Sequence, residues 1–294
     1  MTEFIQQILN GISLGSIYAL IALGYTMVYG IVQLINFAHG EILMVGTFAA
    51  FFAITAYNAN FVLAILIAMA ASVILGVLIE RIAYKPLRKS SRLAVLITAI
   101  GASLLLQNGG LLVFGADFQA FPRIIQNHQF KFFGGEVSVT SYQLLIFSVT
   151  LVMAIFLQYV VMKTKAGKAM RAVSWDKDAA SLMGINVDTT ISITFAIGSA
   201  FAAVAGVLLG LYYNTLYPLM GFMPGLKAFI AAVLGGIGLI PGAFAGGFLL
   251  GIVEALVSGY WSSAWRDPFV FAILILILIV KPSGLLGKDE REKV

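Results

Sequence analysis

The charges of this chain sit in a few places, and that pattern limits its fold more than any other feature. It has 18 Lys and Arg in 294 residues. Fourteen of them fall in three short clusters: Arg81, Lys85, Arg88, Lys89 and Arg92; Lys163, Lys165, Lys168, Arg171 and Lys177; and Lys281, Lys288, Arg291 and Lys293. The stretches between are almost wholly apolar. Lys and Arg gather in the short inside loops of polytopic membrane proteins, because hydrocarbon-spanning helices exclude them. The clusters therefore predict an all-α, polytopic transmembrane bundle surrounded by membrane lipid. They place the loops at 81–92 and 163–177, with the C-terminal tail, on the cytoplasmic side. Composition agrees, at 61% hydrophobic and 11% charged residues, against roughly 45–50% and about 25% in soluble domains. The net charge of +5 belongs to the inside loops and gives no reason to expect a nucleic-acid partner. With no cysteine, disulfides and thiolate metal sites are excluded. The N-terminal MTEFIQQILNG has no basic n-region, so it reads as the start of a retained span.

A span takes about 20 mostly apolar residues, and on that rule helices are expected near 5–30, 34–56, 61–80, 93–113, 141–162, 190–212, 226–239, 243–258 and 268–280. The count is eight or nine, because GGIGLIPG at 235–242 interrupts the last part of the chain. Irregular backbone at that depth survives only inside protein or along a cavity. Segment 114–140 lies outside. Three crossings before Arg81 put the N-terminus outside as well; a re-entrant 34–56 would put it inside. Gly242/Gly246 and Gly247/Gly251 have the small-xxx-small spacing that lets helix backbones approach in lipid. The whole of 1–294 reads as one transmembrane domain, with 163–189 a loop within it.

Polar residues inside apolar runs are costly and face a bundle interior, a cavity or one another. INFAHGE places Asn36, His39 and Glu41 within two turns. Three-residue spacing puts Asn36 and His39 on one helical face, and Glu41 elsewhere. These read either as a gate or pathway lining, or as hydrogen-bonding groups between helices. Glu254 in GIVEALVSG, and Gln107 and Asn108 in LLLQNGGLL, complete the set. One His and one Glu lack a third ligand, so no metal site is expected. No catalytic grouping emerges either, which makes an enzyme a poor reading.

The loop KTKAGKAMRAVSWDKDAASLMGINVDT carries a short helix near 177–183. Asp176 suits its N-cap, Asp178 its first turn and Gly184 its C′ position. Ala179, Ala180 and Met183 form a small apolar face. Such a helix docks into a cleft on a soluble partner, or lies on the membrane surface with its basic flanks toward lipid.

This loop, with Ala179-Ala180 followed by Gly184-Ile185-Asn186, resembles the cytoplasmic coupling loop of ABC importer permeases. Four further runs, GISLGSIYALIALGYTMVYGIVQLINFAHGEILMVGTF, TKAGKAMRAV, AASLMGINVD and KAFIAAVLGGIGLIPGAFAGGFLLGIVEAL, are similar, in order, to LivH-type permeases of high-affinity branched-chain amino acid importers. The resemblance implies a coupling segment of Gly167, Arg171, Asp176, Asp178, Ala179, Ala180, Met183, Gly184 and Ile185. It implies as partners a LivM-type second permease, two ABC ATPase subunits and a periplasmic binding protein delivering Leu, Ile or Val, and as location the bacterial inner membrane. No G-x-x-x-x-G-K-[ST] run occurs, so no cofactor is expected in this chain, and ATP and Mg would belong to partner subunits. Asn36, His39, Glu41, Gln107, Asn108 and Glu254 are then pathway candidates. A self-sufficient proton-coupled transporter or channel using Glu41, His39 and Glu254, and a related permease for urea or short amides, stand as alternatives.

Overall fold

The computed structural model describes residues 1–88 and 90–287. Four of the clustered cations, Lys89, Lys288, Arg291 and Lys293, lie outside them. The chain forms helices α1 (Thr2–Val32), α2 (His39–Tyr57), α3 (Phe61–Ile79, continued by a π-helical turn, Glu80–Tyr84, and a 3₁₀ turn, Lys85–Leu87) and α4 (Arg92–Phe114). A hairpin, β1 (Gln129–Phe132) and β2 (Val137–Thr140), precedes α5 (Ser141–Lys163), α6 (Lys165–Trp175) and α7 (Lys177–Leu182). Helices α8 (Val187–Tyr213), α9 (Phe222–Gly235), α10 (Ile240–Tyr260) and α11 (Arg266–Val280) complete the fold. Among the described residues eight helices, all but α6, α7 and α9, are long and apolar enough to cross a membrane.

Helix α1 is the axis. It packs against α10, α8, α9 and α5, while α3 lies across α2 and α8. Small residues permit this: Gly251 sits on Gly15, and Gly247 on Ala19. The spacing seen in the sequence is thus a packing surface. Helices α3, α4, α5 and α11 keep large apolar side chains exposed, such as Val62, Leu105, Val152 and Ile279, the surface a hydrocarbon solvent requires.

The two ends of the bundle are tied separately. At the end bearing the basic clusters, Arg88 pairs with Asp188 at 2.6 Å and with the buried Glu80, Lys85 pairs with Asp188 at 2.7 Å, and Ser192 donates to Glu80 at 2.7 Å. At the far end the hairpin pairs in antiparallel register, Gln129 opposite Thr140 and Phe132 opposite Val137. The backbone N–H of Ser138 donates to Gln6 at 2.8 Å, and the Gln6 amide returns a bond to the Ser138 carbonyl. The N-terminus therefore shares a face with segment 114–140, opposite the basic loops.

Two crossings depart from simple spans. Helix α2 starts at His39, not 34, so Asn36 precedes the helix and does not share a helical face with His39. Its Oδ1 accepts from the Ala38 N–H at 3.1 Å and from the Tyr84 hydroxyl at 3.0 Å, holding the turn between α1 and α2. Helix α9 has 14 residues, about 21 Å at 1.5 Å each, short of the roughly 30 Å hydrocarbon core. The rest of that crossing is non-helical backbone, a single bridge at Leu216 followed by hydrogen-bonded turns up to Phe222. Leu216 pairs with Gln119 near the far end, Pro218 lies beside Gly110, and Gly221 meets Gly40. The backbones of Gly40 and Gly221 approach so closely that neither position has room for a Cβ.

Sidedness is open to test. A reporter fused after Lys165 or Arg92 is expected on one side of the membrane and one fused at Asn127 on the other; the same side for Lys165 and Asn127 contradicts the arrangement.

Candidate functional site

At the basic end α5 stops at Lys163 and α6 starts at once, with the Thr164 hydroxyl accepting from the Gly167 N–H at 3.0 Å. Gly167 packs against the carbonyls of Val160 and Val161, where a Cβ has no room. Arg171 donates to the Val161 carbonyl. These two positions therefore fix the elbow between α5 and α6. Helix α6 is an element the sequence reading left as loop. Its signal was present: Gly167, Met170 and Val173, spaced by three, are its buried face.

Helix α7 matches its expected caps. Asp176 Oδ1 accepts from the N–H groups of Asp178 and Ala179 at 2.8 and 2.9 Å. Gly184 has φ +81°, its N–H reaches the Ser181 carbonyl, and the Ile185 N–H reaches the Ala180 carbonyl, each at 3.0 Å. That reciprocal pair is a Schellman termination, which satisfies carbonyls the helix end would leave bare. The helix ends at Leu182, one residue earlier than expected.

Between α6 and α7 lies an apolar groove of about 630 Å³, lined among others by Ala169, Ala172, Trp175, Ala180, Met183 and Ile185, with Lys165 and Lys168 also lining it. Trp175 is 86% exposed and Met183 82%. Asp178 is exposed in the first turn of α7. The Lys177 ammonium donates to the Val32 carbonyl at 3.5 Å, so α7 is attached to the last turn of α1. At its other end Asn186 caps α8, accepting from the Thr189 N–H at 3.0 Å.

The polar residues of the spans fall into separate places. Glu41 is buried and accepts from the Gln107 amide at 2.7 Å, and Gln107 also donates to Ser103 at 3.1 Å. Glu41 also lines a cavity of about 20 Å³ with Tyr25, Phe37, Gly40, Gly225 and Phe229, beside the Gly40–Gly221 contact. That is space for one water-sized sphere. His39 is buried against the Tyr25 ring, with centroids 4.5 Å apart. Among the described residues His39 Nε2 and the second Glu41 oxygen have no hydrogen-bond partner. Asn108 is separate from this group: it is exposed on α4 and its amide donates to the Leu104 carbonyl of its own helix.

Glu254 belongs to a network that sequence reasoning missed. Lys227 of α9 lies 2.9 Å from Glu254 of α10 and 2.7 Å from Asp267 of α11. The Tyr18 hydroxyl of α1 donates to the other Glu254 oxygen at 2.8 Å. Lys227 was the signal, a lone cation in GLKAFIAAVLG outside all three clusters. Among the described residues no three His, Cys, Asp or Glu side chains converge as a metal site would require.

Residues 7–278 match the family described as branched-chain amino acid transport system / permease component. The chain is 48% identical over 308 residues to the high-affinity branched-chain amino acid transport system permease protein LivH of Escherichia coli K12, covering 99% of this chain and 98% of that protein. It is 46% identical over 305 residues to the corresponding permease protein BraD of Pseudomonas aeruginosa, with 99% and 98% covered. A probable branched-chain amino acid transport permease protein of Methanocaldococcus jannaschii is 30% identical over 299 residues, with 97% and 93% covered.

The charge network sets a stability order. Glu254→Gln leaves Lys227 paired with Asp267 and is expected to keep near-normal accumulation in the membrane. Glu254→Lys places a second ammonium beside the first, on top of an insertion cost of about 2.5–3.5 kcal/mol, and is expected to unfold at a clearly lower temperature than Glu254→Gln. Thermal unfolding of detergent-purified protein checks both, and equal stability contradicts the network.

Proposed function

This chain belongs to the family of branched-chain amino acid transport system permease components, and from that premise we propose that it is one of two membrane-spanning subunits of an ATP-driven importer. The importer carries Leu, Ile or Val across the bacterial inner membrane after delivery by a periplasmic binding protein. The second permease is a related LivM-type chain. ATP and Mg are held by two ATPase subunits on the cytoplasmic side.

The observation that carries this reading is the exposed apolar groove of α6 and α7. Apolar side chains as open as Trp175 and Met183 on an inside surface have a partner to cover them. A self-sufficient transporter has no use for such a groove. The relatives' names support branched-chain amino acids over urea or short amides.

The mechanism uses the two attachments of α7. An ATPase subunit seats an apolar ridge in the groove, with acidic side chains meeting Lys165 and Lys168. When the two ATPases close on ATP, a displacement of α6 is passed to α5, because Thr164, Gly167 and Arg171 join those two helices rigidly. The Lys177 contact carries that motion to the end of α1, and the Asn186 cap carries it to α8. The constriction is the contact of the first turns of α2 and α9 at Gly40 and Gly221, with its cavity beside Glu41. Parting those turns opens the pathway. Gln107 then holds Glu41 oriented while the amino acid passes.

Gly184 tests the coupling. A Cβ there meets nothing within 4 Å, so the cost of Gly184→Val is conformational, about 1–2 kcal/mol in the left-handed region. Expected is normal insertion and assembly with loss of ATPase stimulation by the loaded binding protein. Gly184→Asn, which tolerates that conformation, is expected to retain most stimulation. A valine variant that couples like wild type refutes the role of this loop.

A further inference from the structure

On the other side of α9 from the constriction lies a larger cavity, about 230 Å³, whose lining includes Tyr18, Tyr213, Tyr217, Met220, Met223 and Lys227. Tyr213 ends α8, and Thr215 of the same lining donates to the Gln119 carbonyl in the far-face loop, so the cavity belongs to the far half of the molecule. We propose that this cavity is the receiving site for the amino acid zwitterion, with Lys227 of its lining taking the carboxylate and Asp267, which lies beyond the lining at 2.7 Å from Lys227, taking the ammonium. The proposal rests on the importer reading given above.

Three observations lead there. First, the charges exceed what neutrality needs. Lys227 is paired with Glu254, which Tyr18 also holds, and both side chains are buried, at 8% and 2% exposure. One carboxylate is enough to neutralise one buried ammonium, and an apolar replacement of such a pair is often no less stable. Asp267, 46% exposed, is therefore a second and spare acid at the edge of the network. Second, the positive end of α9 faces the same space. Met223 and Pro224 of its first turn line the cavity, and α9 starts without a capping side chain. The Phe222 N–H of that turn is held by the Leu219 carbonyl and Pro224 has no N–H, so what the turn offers an anion is the positive end of the helix dipole. Third, the remaining wall is aromatic and thioether surface, suited to a branched aliphatic side chain and adaptable in shape.

The charges then balance through an exchange. In the empty site the Lys227–Asp267 bridge is closed at 2.7 Å. An arriving zwitterion inserts its carboxylate at Lys227 and its ammonium at Asp267, so one internal bridge is replaced by two to the ligand. No charge is left unpaired at any stage, which avoids the penalty of a lone buried ion. The exchange also separates α11 from α9 at this point, since Asp267 is in the first turn of α11 and Lys227 is on α9. Occupancy of the cavity thus loosens the contact between α9, which lines it, and α11.

The chain has no cysteine, so single thiols report the cavity cleanly. Met223→Cys and Tyr217→Cys are made separately in the assembled transporter. Labelling of this chain by a membrane-impermeant maleimide is followed from the far side, with leucine added directly and no binding protein present. Expected is that leucine slows labelling several-fold, that leucinamide and isocaproate do not, and that the protection is lost with Asp267→Asn or Lys227→Gln. The site is overturned if neither thiol is labelled from the far side. It is overturned equally if leucine does not protect, if leucinamide protects as well as leucine, or if protection survives both charge substitutions. ATP-driven leucine uptake by the unsubstituted transporter with its binding protein is measured alongside. Its absence sinks the importer reading itself, whereas normal uptake without protection sinks this site alone.

Discussion

Helices α1 and α10 touch through glycine and alanine instead of through long side chains, and most other placements follow from that approach. Gly11 lies on Ile252, Gly15 on Phe248 and Gly251, and Ala19 on Gly247. In lipid there is no hydrophobic drive to bring helices together, so close van der Waals contact has to supply the association. Because α10 lies so close on one side of α1, α8 and α9 can enclose the remainder, and α1 becomes the buried centre of the bundle. A buried axis can hold polar groups that a lipid-facing helix cannot. Tyr18 and Tyr25 both sit on it, one holding the Lys227–Glu254–Asp267 network and the other lying against His39.

The face bearing the basic clusters is built on different physics. There the contacts are charged and short-ranged: Glu80, Arg88, Lys85, Asp188 and Ser192 lock the end of α3 to the start of α8. Glu80 is fully buried and its partner Arg88 mostly so, which protects the contact from screening by salt. This clamp stands next to Asn186, where α7 passes into α8. Under the proposed mechanism a displacement of α7 would reach α3 and α8 as one unit, and would reach α1 through the contact of Lys177 with the Val32 carbonyl.

Much of this was legible in the sequence, and what was not has physical causes. Spans announce themselves by length and hydropathy, so the nine apolar segments were placed to within a few residues at most of their ends. The caps of α7 were legible because Asp at an N-cap and Gly at C′ act on their nearest neighbours. Asn36 was misplaced because helical spacing was assumed to run through a segment that the Tyr84 hydroxyl, 48 residues away, holds in a turn. Helix α6 was hidden by its own lysines, which outweighed a short buried stripe. Lys227, Glu254 and Asp267 come from three helices, and nothing local in any one of them names the other two. Asn108 and Gln107 are adjacent in sequence yet differ in setting, since one amide turns inward to Glu41 and the other stays on the outer surface of α4.

The non-helical stretch before α9 has a consequence for the loop that packs on it. A helix satisfies its own peptide groups wherever it lies; residues 214–221 do so only in part, through turn bonds such as Met220 N–H to the Tyr217 carbonyl and Phe222 N–H to the Leu219 carbonyl, and hydrocarbon offers the remainder no donors or acceptors. Part of what they need comes from residues 119–121: Gln119 and Leu216 exchange both backbone bonds, at 2.9 and 2.8 Å, and the Phe121 N–H reaches the Asn214 carbonyl at 3.3 Å. Segment 115–121 is thus part of the wall that keeps the bilayer away from bare backbone. Surface loops usually tolerate shortening with little penalty, but trimming this one would leave peptide groups facing oil, and the damage would be read out as a leaky or degraded protein long before any question of substrate arose.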